Sequence, residues 1–347
     1  MASSEPIRGR GIAENPPNRF ATMWVERDPG PQSSGQPTQY LQDTTKTILA
    51  KNQSPDIGFD TSINPYRGCE HGCSYCYARP SHEYLGFSAG LDFESKILVK
   101  SKAAELLRKE LSSPRWKPQP IAMSGVTDPY QPVEQKLEIT RSCLSVLREF
   151  QNPVSLITKN ALVTRDIDIL QEMASYQSAA VMISLPTLDP NVARVMEPRA
   201  SIPKRRLQAI RQLADAGIPV GVMVAPIIPG LTDHEVIPIL EAASEHGATT
   251  AGYTIVRLPF GLKDLFADWL KQHFPGRQEK VLRRIREMRG GKLNQPDFGR
   301  RFAAEGPFAA YISSLFRIAC QKVGLDRDFP TLSTEHFIRP GEQLALF

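Results

Sequence analysis

Beyond residue 62 the chain alternates between two hydrophobic rhythms. Short apolar runs at 120–124, 154–158, 179–185, 219–225 and 249–256 read as buried strands. Segments with apolar residues three and four apart, at 101–111, 135–151, 166–176, 204–216 and 234–245, read as amphipathic helices. Gly217 supplies a stop for the fourth of these. A first strand falls just before Cys69. Strands alternating with helices predict a parallel sheet, and six such units are fewer than the eight of a closed barrel. The expected fold is therefore α/β, a partial, open (β/α)6 barrel.

The rhythm changes at both ends. Residues 1–58 are rich in Pro, Ser, Gly and Gln and lack sustained periodicity, so they read as an extended, partly disordered N-terminal arm. Phe20, Trp24 and Tyr40 suggest that parts of the arm pack on the body, and Arg8-Gly9-Arg10-Gly11 reads as a solvated tail. The barrel is expected over 59–257. Past 258 the alternation stops, and helices at 262–273, 278–288 and 308–323 make a helical, basic extension over 258–328. A mostly irregular tail covers 329–347.

Composition narrows the class. A chain of 347 residues can bury a large core. No apolar run is long enough to span a membrane, and residues 1–6 show no apolar leader, so a cytoplasmic protein is expected. The net charge of +5 is modest, but Arg277, Lys280, Arg283, Arg284, Arg286, Arg289, Lys292, Arg300 and Arg301 crowd one stretch. Five cysteines, three of them clustered, do not read as a disulfide framework.

Those three carry the chemistry. Cys69, Cys73 and Cys76 have the spacing C-x3-C-x2-C. Three thiolates on one loop can hold three irons of a cubane iron–sulfur cluster, whereas full protein ligation takes four. The missing ligand leaves one iron open to a substrate or cosubstrate. The competing reading is structural zinc, with His71 as a further ligand.

Strand ends supply the other candidates, because ligands of parallel α/β sheets gather at the C-terminal edge. Ser124, Gly125, Thr127 and Asp128 follow the second predicted strand, where a sharp turn can present carbonyls to an ammonium group; Asp128 is either an acceptor or the cap of that turn. Lys159 ends the third strand and is suited to a carboxylate. Ser184 ends the fourth and offers a hydroxyl. Glu197 and Arg199 follow, suited to ribose hydroxyls and to a carboxylate. Ala225 and Ile227 lie in an apolar segment at the end of the fifth.

The cysteine loop, with the aromatic Tyr75 before its third cysteine, resembles the radical S-adenosylmethionine superfamily. That resemblance implies a partial TIM-like barrel and a 4Fe–4S cluster whose open iron chelates S-adenosylmethionine. It further implies reductive cleavage to a 5′-deoxyadenosyl radical, and hence a low-potential electron donor. It places the methionyl amino group at the 124–128 turn and the adenine at 225–230. Residues 68–77 and 127–134, together with 54–60 and 289–294, resemble the spore photoproduct lyase-like group. By this resemblance Tyr75 and Tyr77 match tyrosines flanking the third cysteine, and Lys159 and Ser184 match cosubstrate contacts. The lyase returns a hydrogen atom from a cysteine where this chain has Gly125; Cys143 lies on the next helix and is a poor substitute. Tyr77 is then either a hydrogen-atom relay or a packed core tyrosine.

Two features point to nucleic acid. One is the basic stretch 277–301, which on a helix would face phosphates. The other is the terminal Gln343-Leu344-Ala345-Leu346-Phe347, which fits the Q-L-x-L-F pattern by which bacterial repair and replication proteins bind the sliding clamp. The leading expectation is a radical enzyme acting on nucleic acid, DNA in particular. The alternatives are a protein, tRNA or small-metabolite substrate, and a non-enzymatic iron–sulfur adaptor that docks on the clamp.

Overall fold

A computed structural model describes residues 6–20 and 37–340. The arm contributes β1 (Gln39–Gln42) and β2 (Leu49–Lys51), followed by β3 (Thr61–Ile63) and β4 (Tyr66–Arg67) on either side of Asn64 and Pro65. After the cysteine loop come α1 (Asp92–Ser95), β5 (Lys96–Val99) and α2 (Ala103–Leu111). Then β6 (Ile121–Met123) leads to α3 (Glu134–Leu137) and α4 (Ile139–Glu149), and β7 (Val154–Thr158) to α5 (Ile167–Ser175). β8 (Ala179–Ser184) leads to α6 (Pro190–Met196) and α7 (Pro203–Asp215); β9 (Val220–Ile227) leads to α8 (Val236–Glu245) and β10 (Thr250–Ile255). The extension is α9 (Leu262–His273), α10 (Gln278–Glu287) and α11 (Pro307–Val323).

Seven strands form the main sheet in the order β10-β9-β8-β7-β6-β3-β2. β3, β6, β7, β8, β9 and β10 run parallel, as the alternating pattern predicts, and β2 adds an antiparallel edge. β10 and β2 lie at opposite edges, so the barrel is partial and open. All six residues of β8 are buried, as expected for a central strand covered on both faces.

A second sheet lies outside the sequence pattern. β1 pairs in parallel with β5, and β4 pairs antiparallel with β5. Its strands are two to four residues long, too short for a period of two to show in sequence. Thus residues 39–42 and 49–51 of the arm belong to sheets of the body.

The helix expected over 135–151 is also broken. Glu138 takes φ 50°, a left-handed value, between α3 and α4. The break exposes the N-terminus of α4 to the buried Glu134 carboxylate, which accepts the N–H groups of Thr140 (3.0 Å) and Arg141 (3.3 Å). Glu134 also accepts the Tyr66 hydroxyl and pairs with Arg165 at 2.8 Å. One carboxylate therefore ties β4, α4 and the 161–166 turn together.

Two large apolar cores result among the described residues, beside a small cluster of Cys69, Ala78 and Phe93. The larger fills the barrel and its helices, including Ile63, Leu144, Leu156, Val181, Ile239 and Phe316. The smaller joins α9 and α10 to the cysteine loop through Cys73, Tyr75, Met196, Leu258, Phe266, Trp269 and Ile285. The extension is thereby bolted to the loop, with Trp269 Nε1 donating to Val195 O at 3.0 Å. Among the described residues no helix is long and apolar enough to cross a membrane.

Replacing Glu134 by alanine would leave Arg165 and Tyr66 without their buried acceptor. Glu134→Ala is expected to lower stability by about 3–5 kcal/mol in urea unfolding. A drop of under about 1 kcal/mol would show that the carboxylate does not hold these elements together.

Candidate active site

The cysteine loop is held from below by buried polar groups. Cys69 N–H donates to Phe93 O (2.9 Å) and Ser74 N–H to Met196 O (3.0 Å). Arg79, fully buried, donates from Nε to Cys73 O (3.0 Å), and through its other nitrogens to Gly90 O (2.7 Å) and Glu94 Oε1 (3.0 Å). Burial lifts the Glu94 carboxyl, opposed by Arg79 and by the Gly11 N–H. Glu94 accepts the N–H groups of Gly11 (3.0 Å) and Ile12 (3.1 Å).

The stretch expected as a solvated tail is so only in its first half: Arg8 and Gly9 are exposed, whereas Arg10 and Gly11 pack on the body. Arg10 donates to Glu94 O (2.6 Å) and Thr38 Oγ1 (3.1 Å), and Ile12 is buried. A Cβ on Gly11 would collide with the Gly72 carbonyl, and one on Gly72 (φ 66°) with the Glu94 carboxylate. The two backbones meet without side chains between them. Composition alone reads this stretch as basic and flexible. Its partner, Glu94, lies more than eighty residues away, beyond the reach of any local signal.

Cys69 and Cys73 are buried and Cys76 is partly exposed. Burial, then Glu197, pushes the Cys73 thiol well up; burial, then Cys69, pushes up Cys76. Lys159 opposes both shifts. The Lys159 ammonium is itself held charged: burial acts against it, but Cys73, Glu197 and Asp128 together raise it. Among the described residues no carboxylate lies within ion-pair distance of its Nζ. A charged lysine thus faces the thiols with capacity for an anionic ligand.

This donor set fits a cubane cluster with one open iron. Three thiols interact electrostatically, and the two remaining cysteines, Cys143 and Cys320, sit buried on α4 and α11. A closed tetrahedral zinc site would take a fourth protein donor beside the three thiols. His71 Nδ1 lies 3.3 Å from Asp128 Oδ2, and its Nε2 lies 3.4 Å from the Asn160 amide nitrogen. Burial opposes charge on His71, but Asp128 and then Cys69 outweigh it and push the imidazole up to about 10. The Asn160 amide N–H at Nε2 works the other way.

The strand-end residues divide into two groups. Asp128 is saturated by protein: it accepts Tyr130 N–H (2.9 Å), Thr158 Oγ1–H (2.7 Å) and Lys159 N–H (2.8 Å) besides facing His71. It caps its turn and joins the ends of β6 and β7 to the cysteine loop. Burial raises its carboxyl, but His71 and Lys159 reverse that and hold it below the usual carboxylate range. Glu197 is likewise taken, by the Tyr75 hydroxyl and the buried Arg206, whose Nη1 also donates to Ser184 O (2.8 Å). Arg199 pairs with Glu70 (3.2 Å) and donates to Thr38 Oγ1 (3.0 Å). Ser184 Oγ donates to Ala225 O (3.0 Å), and Ile227 is buried at the end of β9.

The turn after β6 is the open part. Ser124 and Gly125 take φ 139° and 116°. Asn64 Oδ1 accepts the N–H groups of Val126 (3.1 Å) and Thr127 (3.2 Å), and Thr127 Oγ1 donates to Tyr66 O (3.1 Å). Gly125 O accepts the Tyr77 hydroxyl. Tyr77 is about half exposed, so it is not a packed core tyrosine, whereas Tyr75 is buried. The supporting residues Arg79, Glu94, Asn64 and Arg206 escape sequence reading because none sits in a motif; only their burial and partners mark them. The terminal residues Gln343, Leu344, Leu346 and Phe347, like Trp24, lie outside the described residues.

Three thiols at the mouth of a partial barrel define the class as one suited to an iron–sulfur cluster. Residues 63–243 match the radical SAM superfamily. An uncharacterized protein of Mycobacterium tuberculosis is 34% identical over 72% of this chain and 74% of its own length. One of Methanocaldococcus jannaschii is 28% identical over 63% of this chain and 78% of its own. Spore photoproduct lyase complexed with dinucleoside spore photoproduct superposes with a TM-score of 0.56 at 16% identity, covering 82% of this chain and 79% of that one. A mutant of that lyase with bound AdoMet and dinucleoside spore photoproduct gives 0.55 at 16%, covering 82% and 78%. The chain belongs to the radical SAM superfamily and shares the fold of spore photoproduct lyase. It is a radical SAM enzyme, of a family that uses a 4Fe–4S cluster and S-adenosylmethionine.

The meeting of Gly11 with the loop yields a test. Gly11→Ala is expected to lower both the urea midpoint and the iron bound after anaerobic reconstitution. Gly276→Ala, where an added Cβ meets open space, should change neither. Equal iron in both variants would remove the arm from any role in shaping the loop.

Proposed function

We propose that this radical SAM enzyme acts on nucleic acid, DNA in particular. When bound, the cluster and S-adenosylmethionine supply a 5′-deoxyadenosyl radical; the chain supplies their binding and shielding. Cys69, Cys73 and Cys76 would hold the cluster. Lys159 is suited to the methionyl carboxylate, and the backbone of Ser124 and Gly125 to its ammonium group. Asp128, Glu197 and Arg199 act as positioning residues, since each is engaged by protein partners. Ser184, Ala225 and Ile227 shape the far wall. A low-potential donor would feed the cluster, in a reducing compartment that also suits five free cysteines.

The observation that carries the nucleic-acid reading is the placement of α10. Gly230, just past the C-terminal end of β9, packs near Lys280 and Val281, so the basic helix stands at the barrel mouth. Lys280, Arg283 and Arg286 are exposed on it. The cationic surface is narrower than the residue count suggests. Arg289 is buried, donating to Val256 O (3.1 Å), and Arg284 stacks on Phe308. Arg300 pairs with Glu305 and Arg301 with Asp56. The likeness to a lyase that holds a dinucleoside photoproduct supports the same reading.

The returning hydrogen atom cannot come from Cys143. That thiol is fully buried, and burial followed by Glu134 pushes it up to about 12. Tyr77 sits instead against Gly125, at the place the lyase gives to its cysteine, with its ring partly exposed. It is the group best placed to hand a hydrogen atom back.

Duplex or single-stranded DNA should bind in a salt-dependent manner. Lys280→Glu/Arg286→Glu should flatten the slope of log affinity against log salt by about 0.7–0.9 for each phosphate no longer neutralised. Absence of any salt-dependent binding would favour a protein or small-metabolite substrate. For the tail, deletion of 343–347 is expected to abolish binding to the bacterial sliding clamp in a pull-down and leave DNA affinity unchanged. Undiminished clamp binding would discard that partner.

A further inference from the structure

At the mouth of the barrel, three partly exposed aromatic rings alternate with two guanidinium groups. Arg257, two residues past β10, lies 4.9 Å from the ring centre of Tyr77 and 4.0 Å from that of Phe302. Arg301 lies 5.3 Å from Phe302 and 4.8 Å from Phe298. The order is Tyr77, Arg257, Phe302, Arg301, Phe298. It starts at the Gly125 carbonyl beside the cysteine loop and ends on the outer surface.

The rings are exposed by 49% at Tyr77, 37% at Phe302 and 64% at Phe298. Single exposed phenylalanines are ordinary; what sets these apart is that Arg257 and Arg301 join them and Tyr77 into one continuous patch. The strip is also built. Arg301 is clamped by Asp56 (2.6 Å) and by the Ser54 hydroxyl, and Gly299 N–H donates to Asp56 Oδ1 (2.6 Å). The 54–56 loop of the arm thus fixes the 298–302 loop of the extension. Arg257 has no carboxylate within ion-pair distance among the described residues, so its charge remains available to a phosphate. A cavity of about 580 Å³ adjoins Phe302, lined also by Tyr253, Thr254, Ile255, Gly306 and Ser313.

We propose that this strip stacks the unpaired bases of a single-stranded nucleic acid and guides one of them toward the cysteine loop. Exposed flat rings interleaved with arginine match the chemistry of bases joined by phosphates. A fully paired duplex shows only base edges in its grooves and cannot stack on the rings without opening. This proposal rests on the nucleic-acid reading above and narrows it to unpaired bases.

Fluorescence anisotropy tests it, using the full chain with its cluster reconstituted anaerobically. The probes are a labelled oligothymidylate, the same backbone with abasic sites, and a blunt duplex. Oligothymidylate should bind about tenfold or more tighter than the abasic strand. Phe298→Ala and Phe302→Ala should each weaken it about five- to tenfold without altering the salt slope, whereas Phe302→Tyr should keep it. Iron content and circular dichroism check that the variants fold. If the oligothymidylate binds but both alanine variants stay within about twofold of the parent, the strip is wrong and the nucleic-acid reading stands. Equal affinity for the abasic strand, or a duplex preference untouched by either alanine, has the same meaning. If none of the probes binds, both readings fall.

Discussion

The buried pair of Arg79 and Glu94 organises everything above it. Both side chains are fully removed from water, so each must direct its hydrogen-bonding capacity to protein. Arg79 donates to the carbonyls of Cys73 and Gly90, and Glu94 accepts from the backbone N–H groups of Gly11 and Ile12. A single ion pair therefore sets the curvature of the cysteine loop and draws the arm under it. Removing one partner of such a pair costs about 3–5 kcal/mol, a large share of the stability of an ordinary domain. The loop backbone is thereby held by protein hydrogen bonds of its own, which suits a site that must position a reactive cosubstrate.

A second consequence concerns charge. Three thiolates near one another, and near Glu197, would repel. The counter-charges that act on Cys73 and Cys76 are Lys159, just past β7, and Arg79, which is committed to Glu94. Asp128 and His71 oppose one another beside them. Of these groups Lys159 alone is left without a close protein carboxylate among the described residues, so it is where an anionic cosubstrate group is most strongly favoured. The acidic residues that look like ligand contacts in sequence are occupied by protein: Asp128 joins the turn after β6 to the end of β7, and Glu197 joins the cysteine loop to α7.

The arm and the extension meet over the same mouth. Asp56 reaches Arg301, Tyr77 reaches Arg257, and Lys280 stands by Gly230. Segments far apart in sequence thus converge on the C-terminal edge of one sheet, where parallel α/β proteins do their chemistry. The rim they form is cationic and aromatic, while Cys73 and Cys69 below it pack against apolar clusters.

Much of this is legible in the chain itself. Six parallel strands, their helices, and the three clustered thiols follow from local periodicity and local spacing, which depend on neighbours a few residues apart. The broken helix at Glu138, the β1–β5–β4 sheet and the packing of Arg10, Gly11 and Ile12 do not follow, because each is fixed by tertiary partners that periodicity cannot register. The same holds for function. Sequence identifies which residues could bear the chemistry, but only the folded arrangement shows that Asp128, Glu197 and Arg199 are already committed, that Lys159 lacks a close carboxylate among the described residues, and that the Tyr77 ring reaches the surface. Spacing along a chain can specify a ligand set; whether a polar group is free to act depends on what packs against it, and that is decided in three dimensions.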